Sequence, residues 1–103
     1  MNRSKAPKAR PAELVAIEEA FHKAGFAEVE AKRQNSVSLR IRVVDPRFKD
    51  QSFTQRDRMV RKVIDKLPSG TQEDLTLVLL LAPEEMQGSL INADFEDPTL
   101  SRL

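Results

Sequence analysis

The sequence contains no cysteine, no tryptophan, no tyrosine and a single histidine, His22. Without cysteine there is no disulfide, no thiolate nucleophile and no sulfur ligand for zinc or an iron–sulfur cluster. The lone histidine lies beside the apolar stripe of the first expected helix. It reads as a semi-exposed helix residue and supports no Ser-His-Asp or Cys-His arrangement. The three glycines, Gly25, Gly70 and Gly88, form neither a phosphate-cradling loop nor the Gly-x-x-Gly clamp of KH-type RNA binding. No apolar run approaches the ~18 residues of a membrane span, so no membrane partner is expected. The inventory therefore disfavours an enzyme, a metal site and a cofactor, and favours a module that works by binding.

What is present suits one folded domain. The chain has 103 residues, of which 40% are hydrophobic and 32% charged. The formal net charge of +1 conceals a segregation. Ala31 to Leu67 carries eleven basic and four acidic residues, a net +7, whereas the chain from Pro68 onward carries a net −6. A local field is set by neighbouring charges, so this polarity matters more than the sum.

Met1–Arg10 is basic, rich in Pro and Ala, and followed by no apolar h-region. It is expected to be a flexible arm and not a signal peptide, in keeping with a cytoplasmic protein. Pro11 to Gly25 has a helical stripe at Leu14, Ile17, Phe21 and Ala24, with Gly25 as the stop. Ala27–Lys32 and Val37–Val43 alternate apolar and polar residues around Gln34-Asn35-Ser36, which predicts a β-hairpin. After Asp45-Pro46, a loop leads to a second helix with apolar Met59, Val60, Val63, Ile64 and Leu67. Ser52 or Thr54 can cap it, Thr54 to Asp57 having capping-box spacing. Pro68-Ser69-Gly70 stops it. Leu75–Ala82 is a strand apolar on both faces.

The expected fold is therefore α+β, in the order α-β-β-α-β, with a mixed three-stranded sheet and two helices on one face. The expected organisation is an arm over 1–10, a domain over 11–86 and an acidic tail over 87–103, flexible or docked. The second sheet face would show Val44, Val78, Leu80 and arginine stems. An uncovered apolar face implies a cover, either the tail or a second subunit in a homodimer.

Leu39 to Glu85 resembles the BolA-like family. The family pattern runs from a hydrophobic strand through F-x-G-x-S-x-x-x-R-H-R, a Leu-ended helix and H-A-L to an apolar strand and P-E-E. Here Leu39–Val44 is the strand, and Phe48-Lys49-Asp50-Gln51-Ser52 follows with Asp50 in place of glycine. Arg56-Asp57-Arg58-Met59-Val60 occupies the R-H-R site, Leu67 ends the helix, and Pro83-Glu84-Glu85 closes the match. The resemblance implies a class II KH-like fold. It also implies pairing with monothiol glutaredoxins around an iron–sulfur cluster, and DNA binding as a regulator. The family's candidate metal ligands are histidines. Asp57 replaces one, Asp74 falls near another and the hairpin loop has none, so no metal is expected.

Two functional readings follow. The first is a protein-interaction adaptor using the loop Asp45–Phe53 and the start of the second helix. The alternative is a DNA-binding regulator. Both would draw on Arg40, Arg42, Arg47, Lys49, Arg56, Arg58, Arg61 and Lys62. Phe48 and Phe53 read as core or loop anchors, Asp57 as a capping residue, and Glu84-Glu85 as solvated surface. In the tail, Phe95, Glu96 and Asp97 are candidates for docking onto a partner or onto the chain's own basic residues.

Overall fold

The structure, a computed structural model, describes residues 11–97. The basic arm expected over 1–10 and the last six residues of the tail lie outside the described residues. The first helix, α1 (Ala12–Lys23), buries Leu14, Ile17 and Phe21. Its stop is a Schellman motif: Gly25, at φ +97°, donates to the His22 carbonyl at 2.9 Å, and Phe26 donates to that of Phe21 at 3.1 Å. The left-handed φ is one that glycine reaches without a Cβ penalty. The motif's hydrophobic contact is Phe26 against Phe21, edge to face with ring centroids 6.0 Å apart. Ala24, expected in the buried stripe, is exposed because it is the C-cap where the helix ends.

Strands β1 (Glu28–Asn35) and β2 (Ser38–Val44) form the hairpin, pairing Ala31 with Ile41 and Val29 with Val43. The turn falls at Ser36-Val37, slightly later than expected, since β1 runs on to Asn35 across a register shift. The Asn35 side chain braces it by accepting from the Val37 N–H at 2.9 Å.

The Asp45 carboxylate then accepts from Arg47 N–H at 2.9 Å, capping a 3-10 turn at Pro46–Phe48. Helix α2 (Phe53–Asp65) starts with a reciprocal capping box between Ser52 and Gln55. Thr54 and Asp57 therefore form no box. Asp57 sits inside the helix and pairs with Arg61 at 2.6 Å.

A short helix, α3 (Ser69–Asp74), stands where only a stop was expected, and leads into β3 (Leu75–Leu81). After a 3-10 turn at Pro83–Glu85, helix α4 (Leu90–Glu96) completes the described chain. The architecture is α+β with a mixed sheet in the order β1-β2-β3, β3 running parallel to β2. The element order α-β-β-α-α-β-α corrects the simpler one expected. Both extra helices are short, six and seven residues, too brief to show a helical period in sequence.

The main core lies between the sheet and the helices α1 and α2. Phe21, Phe48, Ile17, Leu39, Ile41, Val43 and Val60 are its largest fully buried side chains. Leu80 belongs to this core and Val78 packs against it. That reverses the expected assignment of β3. Ile41 pairs with Val78 and Val43 with Leu80, and ladder partners share a face. Leu77, Leu79 and Leu81 consequently face the other way, where Leu79 and Leu81 pack on Phe95 of α4. Both sets are apolar, so the sequence pattern alone does not distinguish them.

Candidate interaction surface

The eight basic candidates do not converge on one surface. Arg40 and Arg42 are buried on the second sheet face, beneath α4. Arg40 pairs with Asp94 at 2.6 Å. Arg42 pairs with Glu30 at 2.9 Å and also with Glu96, and donates to the Asn92 side chain at 2.7 Å. Arg47 chelates Asp45, at 3.0 and 3.1 Å, and lies over the Phe26 ring. Its guanidinium holds the Asp45 carboxyl below the usual aspartate range. Lys49 faces Glu84 at 3.5 Å, and Arg61 pairs with Asp57. Arg58 and Lys62 remain exposed, with no ion pair among the described residues.

Arg56 is 5% exposed. Its guanidinium grips Glu85 through two bonds of 2.6 and 2.8 Å. It also donates to the carbonyls of Leu80 at 3.0 Å and Gln51 at 2.9 Å. Glu85 in turn accepts from the Ala82 N–H at 2.9 Å. Arg56 and the Ala82 N–H together hold the Glu85 carboxyl down at about 2. This clasp joins α2 to the end of β3. Glu85, read in sequence as solvated surface, is a structural partner.

Helix α4 is latched over the sheet by mixed forces. The Phe95 ring is fully buried, with the Lys32 ammonium 4.5 Å and the Arg42 guanidinium 4.9 Å from its centroid. Lys32 also donates to the Phe95 carbonyl at 2.6 Å. Asp97, grouped with Phe95 and Glu96 in sequence, is exposed at the C-cap.

The outer edge of β3 is unpaired, since the sheet ends there. The Leu81 carbonyl bonds to Asp45 N–H on the β2 side. Alternation then turns the peptide groups of Val78 and Leu80 outward, on the regular side of the register shift opposite Leu39 and Arg40. The Leu80 carbonyl is capped by Arg56, but the N–H and C=O of Val78 and the N–H of Leu80 have no partner among the described residues. Around this edge lies a groove of about 340 Å³, with Phe53 of α2 on one wall and Ile91 of α4 on the other. Phe53 is 82% exposed, Ile91 54% and neighbouring Leu90 87%. The opposite edge is different, because Glu18 accepts from the Ala31 N–H of β1 at 2.8 Å.

No family model matches the chain, and no curated protein does. Among solved structures, it is similar to the solution structure of BolA1 protein from Mus musculus. The TM-score is 0.58 at 21% identity, over 98% of this chain and 84% of that one. The fold is BolA-like.

Within that BolA-like fold, the motif residues are framework. Phe48 is core, Ser52 caps α2, and Arg56 clasps Glu85 of Pro-Glu-Glu. Asp50, where the pattern has glycine, adopts φ +63°, the left-handed region that favours glycine. Among the described residues there is no group of three or more His, Cys, Asp or Glu placed to hold a metal, and no helix long and apolar enough to cross a membrane. No catalytic constellation is present among them. Sequence reasoning overlooked the β3 edge, Leu90 and Ile91, and it read Phe53 as an anchor. The available signal was Phe53 itself, the residue just inside the Ser52 cap, which projects from the helix start away from the core.

Proposed function

We propose that the chain is a non-enzymatic protein-interaction module whose docking surface is the free edge of β3. The occupant is an extended, uncharged segment of a partner protein, adding a strand to the sheet. One observation carries this reading. Two of the five large apolar side chains exposed among the described residues, Phe53 and Ile91, line the groove along an edge with free hydrogen-bonding groups. The two ionised residues that line the groove, Arg56 and Asp57, are already paired with Glu85 and Arg61, which favours an uncharged guest. The BolA-like resemblance, with its implied pairing to glutaredoxins, points the same way. The DNA-binding alternative has less support, because six of its eight cations are in ion pairs within the chain.

The test is selection from a phage-displayed random peptide library on the full chain, with a monothiol glutaredoxin as a defined second probe. Peptides that are uncharged and rich in β-branched or aromatic residues are expected. Phe53→Ser should weaken their binding by roughly tenfold, the loss of one buried aromatic anchor. Phe53 is exposed, so the variant folds. Ligands that bind the Phe53→Ser chain as well as the parent contradict the proposal.

A further inference from the structure

The fate of the basic residues leaves a remainder. Most Lys and Arg side chains of residues 11–97 are engaged in ion pairs or hydrogen bonds. Four have neither among the described residues: Lys23, Arg58, Lys62 and Lys66. All four lie on the α1–α2 layer. Arg58, Lys62 and Lys66 recur every fourth residue, so they form one row along α2. Lys23 stands at the end of α1, across a groove from Lys62 and Lys66. The groove, of about 400 Å³, is lined by Ala20, Ala24 and Val63 besides these lysines, and by no acidic residue. Three ammonium groups thus rim an apolar floor made of small side chains.

We propose that this groove is a second docking site, for an acidic amphipathic segment of a partner protein. The two halves of the site make complementary demands. The row of unpaired cations calls for carboxylates, and the small apolar floor calls for aliphatic side chains on the same guest. A helix with leucines on one face and glutamates flanking them meets both. A DNA duplex meets only the first, because its phosphate backbone has no apolar side chain to offer the floor. Single-stranded nucleic acid stacks on aromatic side chains, and none lines this groove. A membrane surface would need protruding apolar residues between the lysines, yet Val63 is buried and Ala20 half-buried. The site is separate in residues from the β3 edge, and it stands whether or not that edge binds a strand.

The experiment is a titration of the isotope-labelled full chain, followed by amide shifts, with a designed acidic amphipathic helical peptide. Parallel arms use the same peptide scrambled, duplex DNA, and vesicles of phosphatidylcholine with phosphatidylserine. The designed peptide is expected to give saturable shifts at Lys23, Lys62, Val63 and Lys66. Its affinity should fall on the order of tenfold from low to high salt, as exposed charge pairs are screened. Lys62→Glu with Lys66→Glu should abolish those shifts, and Phe53→Ser should leave them unchanged. Equal binding of the scrambled peptide would reduce the site to bulk charge and overturn the proposal. So would stronger binding of DNA or vesicles at these residues, or no saturable shift at all.

Discussion

Asp50 holds a left-handed backbone conformation that its Cβ disfavours. Asp50→Gly relieves that strain, offset in part by glycine's greater freedom when unfolded. A gain of up to about 1 kcal/mol is expected in chemical denaturation. The Arg56–Glu85 clasp gives a pH signature. Glu85 falls from its ordinary 4.5 to about 2 on folding. A depressed carboxylate stabilises fully above its unfolded value, and that contribution drains away as pH falls from 4.5 through about 2. Glu85→Gln should therefore lower stability by about 1–2 kcal/mol at neutral pH, less than for a fully buried pair because Glu85 is partly solvated. The difference from the parent should close as both are measured down through that window. These roles were half legible in sequence. The positions Phe48, Asp50, Ser52, Arg56 and Glu85 stood out, but pattern gave no sign that Arg56 and Glu85 bind each other across twenty-nine residues.

Helix α4 is the element on which sequence and structure inform each other most. The charge split placed an acidic tail opposite a basic middle, and an uncovered sheet face called for a lid. The structure supplies Asp94 and Glu96 on Arg40 and Arg42, with Phe95 over Leu79 and Leu81. The helix itself was not legible, since seven residues with a Ser89 cap carry little periodicity. The face of β3 was misassigned because its one polar residue, Thr76, has the parity of Val78 and Leu80, which turn to the core past a register shift. Phe95→Ala should cost about 2–3 kcal/mol, at the low end for a buried Phe because its cluster is small. Deleting residues 88–103 should expose the second sheet face and raise binding of a hydrophobic dye. A truncated chain that melts and sediments like the full one contradicts the latch.

At the scale of the molecule, a sheet is covered on one face by α1 and α2 and on the other by α4, and it has two unlike edges. Folding engages most of the positive charge concentrated between Ala31 and Leu67 in ion pairs and hydrogen bonds. Arg40 and Arg42 lie beneath α4, and Arg56 is committed to a clasp. Class, hairpin, α2 and β3 were readable from periodicity and stop signals, but not the short α3 between the last two. The proposed docking edge was not, because an open edge is a property of sheet order; Phe53 at the start of α2 was its one residue-level signal.

Amide hydrogen exchange at Val78 tests whether this edge receives a partner strand. In the free chain the Val78 N–H points outward from β3 without a partner and should exchange fast. With a selected peptide or glutaredoxin bound, its exchange should slow by at least roughly tenfold, as expected for an amide drawn into a ladder. A bound partner that leaves Val78 exchange unchanged contradicts strand addition at β3.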